Sequence, residues 1–243
     1  MSIRKKILAI SIGPVLVLGV ITLLFMLTMV KSSLMDEVQD ALKGTAAATL
    51  AAYDQNTGDY LESTNGDIWK GSYNISKSES LVDRIKENTG MDVTFFYGNK
   101  RIMTSALDKK GNRILGSEAG ERVVNQVIKG KKPFFSTNVS LDGTRNYGYF
   151  IPVYQNGTTD QVIGMVFVGT NKARKDAIVN KILGSIMMAL LVVMLLCIVT
   201  AMRMAASISK NIKNSVAVVG KLADGDLNVW VDEKLLKRKD EIG

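Results

Sequence analysis

The sequence ILAISIGPVLVLGVITLLFMLTMV, residues 7–30, is an unbroken apolar run of 24 residues without a charge. A second run, ILGSIMMALLVVMLLCIVTAM, fills residues 182–202 and is also uncharged. As helices rising about 1.5 Å per residue, both runs exceed the roughly 30 Å hydrocarbon core of a bilayer. They predict two transmembrane helices that enclose a loop domain, residues 31–181, which is the layout of a receptor.

Basic residues predict the orientation of the two spans. Arg4, Lys5 and Lys6 precede the first run, and Arg203 and Lys210 follow the second. Since cytoplasmic flanks carry excess Lys and Arg, we expect both termini, including residues 1–6, to be cytoplasmic. Residues 31–181 would then be extracytoplasmic, with the chain in the inner (plasma) membrane. A cleaved signal peptide is the alternative for the first run, but this run is longer than the 7–15 apolar residues of a signal peptide and no small-residue cleavage site follows it.

The net charge of +8 does not predict nucleic-acid binding. Residues 31–181 hold 20 basic and 17 acidic residues, so the loop domain is nearly balanced and has no basic stripe interleaved with aromatic residues. The chain has no histidine, which excludes Ser-His triads, His general bases and His metal ligands. We expect no enzyme activity and no cofactor. The single cysteine, Cys197, reads as apolar filler within the second span, with a disulfide between two copies as the alternative.

Helical patterns dominate the first half of the loop domain. Residues 32–53 are helix formers without proline and predict a long helix that continues the first span. Residues 54–78 are polar and predict loops with short elements. Residues 80–88 predict a helix that ends at Gly90, a favourable left-handed C-cap. Ser117 is expected to cap a further helix that ends at Gly130.

Strand patterns dominate the second half. Residues 92–97 and 101–105 predict a hairpin, and residues 133–139, 145–153 and 161–170 predict three more strands. Asp142-Gly143 and Asn156-Gly157 are strong hairpin signals between them. The fold class is therefore α+β: a long N-terminal helix and an antiparallel five-stranded sheet with its helices on one face.

Four segments together resemble the single Cache (PAS-like) sensor domains of bacterial chemoreceptors. They are DVTFFYGNKRIMT at residues 92–104, GNRILG at 111–116, YGYFIPV at 147–153 and VIGMVFVG at 162–169. The resemblance runs from about Asp83 to Gly169. It implies a PAS-like fold whose last strand leads directly into the second span.

Residues 203–243 resemble the first part of a HAMP linker. An apolar pattern near period 3.5 is followed by a break at residues 223–227 and by residues 240–243, which look like the start of a second helix. Asn211 stands where the family usually has proline, so we expect a straighter first helix. Since a HAMP needs two helices per subunit, we expect a partial HAMP and a chain cut before its output domain.

Ligand-site candidates follow from the resemblance, because a Cache pocket lies between the sheet and the loops that cover it. Arg101 is the sharpest candidate, since its guanidinium fork can hold a carboxylate, although it could equally be a solvated residue beside the Gly98–Lys100 turn. We expect Arg101, Met103 and Ser105 to share one strand face. The complete set of candidates is Arg101, Tyr147, Tyr149, Tyr97, Phe95, Met103, Ser105 and Phe135. For the aromatic members the alternative is ordinary core packing.

These features together favour a methyl-accepting chemotaxis receptor that senses a small molecule, a carboxylate or another small metabolite, outside the cell. The expected partners are that ligand, a second copy in a homodimer, membrane lipid, and cytoplasmic signalling proteins reached through the absent output domain. The alternative is the sensor half of a histidine kinase or of a cyclic-dinucleotide synthase.

Overall fold

A computed structural model of the chain describes residues 3–156 and 158–225. Helix α1 spans Ile3–Phe25, a π-helical turn spans Met26–Val30, and helix α2 spans Lys31–Asp54. At the other end of the chain, helix α5 spans Lys172–Ala223 and contains the whole second apolar run.

Two helical stretches, Arg4–Asp54 and Lys172–Ala223, are long and apolar enough to cross a membrane. In their most apolar windows, 6% and 0% of the residues are buried within the protein. A core helix of a soluble protein would be mostly buried, so the exposure of these apolar side chains fits a membrane protein.

Residues Lys31–Lys181 form a compact unit of their own. After α2 comes a small antiparallel sheet of β1 (Tyr60–Glu62), β2 (Ile68–Lys70) and β3 (Tyr73–Asn74). Helix α3 (Glu79–Thr89) follows and ends at Gly90, whose φ of 69° is the predicted left-handed C-cap. Residues 54–78 thus hold the short elements that their polar composition predicts.

The main sheet has five antiparallel strands in the order β5-β4-β8-β7-β6. This confirms the predicted α+β fold class, and each strand boundary lies within two residues of its prediction. The strands are β4 (Asp92–Tyr97), β5 (Lys100–Thr104), β6 (Phe134–Leu141), β7 (Thr144–Tyr154) and β8 (Val162–Asn171).

Side chains alternate across this sheet and form two separate cores. The helix-side core packs Phe95, Tyr147 and Val166 against α2 and α3. The second core lies on the opposite face and contains Phe96 and Phe167. Because side chains at successive strand positions point to opposite faces, the neighbours Phe95 and Phe96 belong to different cores.

The helix expected after Ser117 begins later than predicted. Helix α4 covers only Glu121–Val123 and continues as a π-helical turn, Val124–Lys129. Residues before it pair with the edge of the sheet instead: Arg101 N–H donates to the Ser117 carbonyl at 2.9 Å. Backbone pairing at an open strand edge therefore replaces the expected N-cap.

The expectation that all helices lie on one face of the sheet is also wrong. Val127, in the π-helical turn after α4, is fully buried in the second core, opposite α2 and α3. The short α4 segment therefore covers the face that the long helices leave open.

Strand β8 leads into α5 without an intervening residue, as the resemblance implies, since β8 ends at Asn171 and α5 begins at Lys172. Helix α5 continues through Asn211 and ends at Ala223, where the sequence predicts a break. The expected connector and second HAMP helix, residues 228–231 and 240–243, lie outside the described residues.

Candidate functional site

A cavity of about 490 Å³ lies on the sheet face opposite α2 and α3. Its floor is aromatic and comes from three strands: Phe96 of β4, Phe150 of β7 and Phe167 of β8. One wall is β6, residues 134–140, and the other is the segment from Glu118 to Val123. The volume lies within the range of about 300–1,000 Å³ that is usual for small-molecule pockets.

Arg101 lines this cavity and is only 8% exposed. Its Nη1 donates a 3.3 Å hydrogen bond to the Ile114 carbonyl, and its guanidinium carbon lies 5.3 Å from the centre of the Phe96 ring. Among the described residues, its buried Nε has no hydrogen-bond partner and no carboxylate forms an ion pair with it. A buried donor without a partner carries a desolvation cost, so the hydrogen-bonding capacity of this guanidinium is not fully used within the protein.

Burial also determines the electrostatics of this arginine. It lowers the pKa of the guanidinium from its ordinary value, and the nearby Asp92 carboxylate partly opposes that shift. Because the ordinary pKa of arginine lies far above neutrality, the group stays charged at neutral pH. The cavity therefore contains a fixed, buried positive charge.

A β-bulge puts Arg101 on this face. Phe95 pairs with Met103 but Phe96 pairs with Arg101, so Ile102 is an extra residue in β5. Met103 packs in the helix-side core, whereas Arg101 lies against Phe96 on the cavity face. The expectation that Arg101 and Met103 share a face is therefore wrong, because one inserted residue reverses the alternation.

Four other candidate residues lie in or against the helix-side core rather than in the cavity. They are Phe95, Tyr97, Met103 and Tyr149. Phe95 also has an edge contact with Tyr53 of α2, with ring centres 5.1 Å apart. These four side chains therefore pack in or against the core, as the alternative of ordinary core packing states for the aromatic candidates.

The remaining three candidates make more specific contacts, although Tyr147 and Phe135 also lie in or against the helix-side core. Ser105 is buried, and its hydroxyl accepts a hydrogen bond from Val93 N–H at 2.9 Å. Phe135 lines the cavity and also stacks on Tyr147, with ring centres 6.4 Å apart. Tyr147 is buried, and its hydroxyl bonds to Asp176 in α5. The structure thus brings Arg101 and Phe135 to one cavity and places the other six elsewhere.

Several lining residues were absent from the sequence-based set. The cavity-floor residues Phe96 and Phe150 directly follow the predicted candidates Phe95 and Tyr149, so strand parity could have identified them. Phe167 lies on β8, which held no predicted candidate. Strand parity could not have identified the lining residues between Ser136 and Val139 of β6, because the register shift there depends on the pairing of β6 with β7.

The cavity combines an apolar floor with few charges. Arg101 is buried within it, while Glu118 and Arg122 are exposed at its wall. The Arg122 guanidinium carbon lies 5.4 Å from the centre of the Phe134 ring. Such a site favours a small anion with an apolar body.

Within the described ranges, no group of three or more Cys, Asp or Glu residues could hold a metal ion.

Comparisons with known proteins give a family match over part of the chain. Residues 73–182, somewhat less than half of the chain, match the family model for single cache domain 3. A solved structure described as an extracellular ligand binding receptor from Desulfohalobium retbaense DSM5692 aligns with a TM-score of 0.43 and 14% identity. That alignment covers 60% of this chain and 25% of the other, so this chain spans about a quarter of that receptor's length. No curated protein matches the chain.

The matched segment contains α3, all five strands of the main sheet and every residue that lines the cavity. Cache domains bind small molecules, and their occurrence between two long apolar helices is consistent with a receptor. Residues 73–182 therefore match a single Cache domain, a kind of domain that binds small ligands, and this segment lies along the chain between two helices that fit a membrane protein.

Proposed function

We propose that the chain is the sensing part of a transmembrane chemoreceptor that binds a small carboxylate in the cavity beside Arg101. The buried, charged guanidinium with a free Nε is the observation that carries this proposal. A carboxylate accepts charge-assisted hydrogen bonds from such a group, and the aromatic floor accommodates an apolar body.

Both termini are proposed to be cytoplasmic, with residues 31–181 outside the cell. Ligand binding would shift α5, and residues 203–243, as a HAMP linker in a homodimer, would pass this shift to a cytoplasmic output domain. The ligand can bias the two signalling states only by its difference in affinity for them.

The test is a thermal-shift screen of the full chain in detergent with acetate, propionate and benzoate. The corresponding amides, acetamide, propionamide and benzamide, are matched controls that keep the shape and lose the charge. A bound acid at a hundredfold excess over Kd stabilises the folded state by about 2.7 kcal/mol, roughly 5–10 °C in melting temperature. Equal shifts for an acid and its amide, or no shift with any acid, would contradict the carboxylate proposal.

The type of output separates the chemoreceptor from the alternative of a histidine kinase or a cyclic-dinucleotide synthase. For a chemoreceptor, any coding sequence beyond Gly243 should encode the rest of a HAMP and a long heptad-repeat hairpin with Glu/Gln methylation sites. A phospho-accepting His helix or a nucleotide-binding domain in that place would refute the chemoreceptor and leave the ligand site unaffected.

A further inference from the structure

A polar cluster joins the sheet to the first turns of α5. The Tyr147 hydroxyl, on β7, donates to Asp176 Oδ1 at 2.5 Å and accepts from Lys172 Nζ at 2.6 Å. Lys172 and Asp176 also pair with each other at 3.4 Å, one helical turn apart. Because β8 enters α5 directly, this cluster is a second connection between the sheet and the helix that contains the second apolar run.

Tyr147 is the buried residue on the sheet side of this connection. The residue is only 2% exposed, and Lys172 Nζ lies 4.1 Å from the centre of its ring. Burial raises the pKa of the hydroxyl, and the hydrogen bond to Asp176 raises it further. The hydroxyl therefore stays protonated at neutral pH and can donate to Asp176.

Phe135 connects the same tyrosine to the cavity. Its ring is nearly parallel to that of Tyr147, at 10°, with centres 6.4 Å apart, within the range of interacting aromatic pairs. Phe135 also lines the cavity that contains Arg101. Phe135 thus belongs to the β6 wall of the cavity, while its ring packs on the helix-side face against Tyr147, the residue that bonds to α5.

We propose that Phe135 and Tyr147 are positioning residues that transmit a change in the cavity to Lys172 and Asp176 at the start of α5. The path runs from the cavity wall at Phe135 to the ring of Tyr147, and from the Tyr147 hydroxyl to Lys172 and Asp176 at the start of α5. This proposal rests on the proposed function for its ligand, but the coupling itself is a property of the protein without ligand. A claim of coupling needs a double-mutant cycle, because proximity alone does not establish it.

The test is amide hydrogen exchange of the full chain in detergent micelles, read at residues 173–179, in Phe135→Ala, Tyr147→Phe and the double variant. We expect Phe135→Ala and Tyr147→Phe each to speed exchange there by roughly tenfold, since both loosen the cluster. In the Tyr147→Phe background, Phe135→Ala should add less than about twofold, because the route is already broken. Amides of β4 and β8 are the internal reference for folding.

Phe134→Ala is the matched control. Phe134 is the preceding aromatic residue of β6 and also lines the cavity, but it packs against Phe150 in the second core rather than against Tyr147. Because Phe134 has no ring contact with Tyr147, Phe134→Ala should speed exchange at residues 173–179 by much less than Phe135→Ala does. If Phe135→Ala fails to fold, Phe135→Leu replaces it, with a smaller change in the same direction.

Two results would overturn the proposal. One is that Phe135→Ala and Tyr147→Phe change the exchange rates at residues 173–179 additively. The other is that Phe134→Ala changes these rates as much as Phe135→Ala does. No ligand enters this experiment, so its failure would leave the carboxylate site intact. Conversely, a failed ligand screen would leave the measured coupling intact.

Discussion

At the scale of single residues, the buried position of Arg101 is the basis of the proposed ligand site. The Cache resemblance together with the chemistry of its guanidinium made Arg101 the sharpest candidate, and the residue lies buried at the cavity. The residues that share the cavity face with Arg101 could not be predicted from the sequence, because the bulge at Ile102 depends on the pairing of β5 with β4. Without that pairing, simple alternation places Arg101 with Met103, on the wrong side of the sheet.

Gly164 provides a residue-scale prediction about the sheet that supports the cavity. A Cβ added at Gly164, in the central strand β8, would collide with the backbone carbonyl of Phe96. Since backbone cannot move aside cheaply, Gly164→Ala should reduce the free energy of unfolding by about 1–3 kcal/mol. Chemical denaturation of the two proteins measures this difference.

Gly44→Ala is the control for that measurement. Nothing lies within 4 Å of the added Cβ at this position in α2. Removing a helical glycine should raise the free energy of unfolding by about 0.5–1 kcal/mol. A Gly164→Ala protein as stable as wild type would refute the close backbone packing between β8 and β4.

At the scale of elements, periodicity predicted most of the long helices and all five strands of the sheet. Periodicity gave the wrong start for α4, because Ser117 was predicted to be its N-cap and the helix begins at Glu121. Residues 117–119 instead extend the edge of β5, through Ser117 and through Ala119 N–H, which donates to the Asn99 carbonyl at 2.8 Å. Because such pairing joins segments distant along the chain, no local pattern predicts it.

The contact between α3 and the loop after β5 predicts a pH dependence. Arg113 forms two hydrogen bonds to the Asp83 carboxylate, at 2.9 and 2.5 Å. The hydrogen bond to Arg113 lowers the pKa of Asp83 from its ordinary value. A carboxyl group with a lowered folded-state pKa stabilises the fold above its unfolded pKa, about 3.9, and this contribution is lost as the pH falls through the folded-state value.

Asp83→Asn tests this dependence. Because the Asp83 side chain is 43% exposed, we expect wild type to exceed the variant by only about 0.2–1 kcal/mol at pH 7. The difference should shrink as the pH falls below about 4, where Asp83 takes up a proton. Urea denaturation at pH 7, 5 and 3 measures it, and a difference that grows toward low pH would contradict the assignment.

At the scale of the whole molecule, the two apolar runs and the Cache domain between them agree with each other. The runs could be identified from sequence because membrane thickness imposes a simple length requirement. The orientation, in contrast, rests on the Lys/Arg bias alone and remains a prediction.

Site-specific labelling tests this orientation. In a Cys197→Ser background, Lys110→Cys should react with a membrane-impermeant maleimide on intact cells, because residues 31–181 are expected outside. Lys213→Cys should react only after the cells are permeabilised. Both positions are exposed within their own units, so accessibility does not limit the reaction. The reverse pattern would refute the proposed topology.

The central claim is that the buried guanidinium of Arg101 binds the carboxylate of a small ligand. Calorimetric titration of the full chain with the best acid from the screen tests it, comparing wild type with Arg101→Ala and with Arg145→Ala, an exposed arginine of β7 outside the cavity. Loss of a charge-assisted bond should weaken binding roughly 10- to 100-fold in Arg101→Ala and leave Arg145→Ala like wild type. Unchanged affinity in Arg101→Ala would contradict the account.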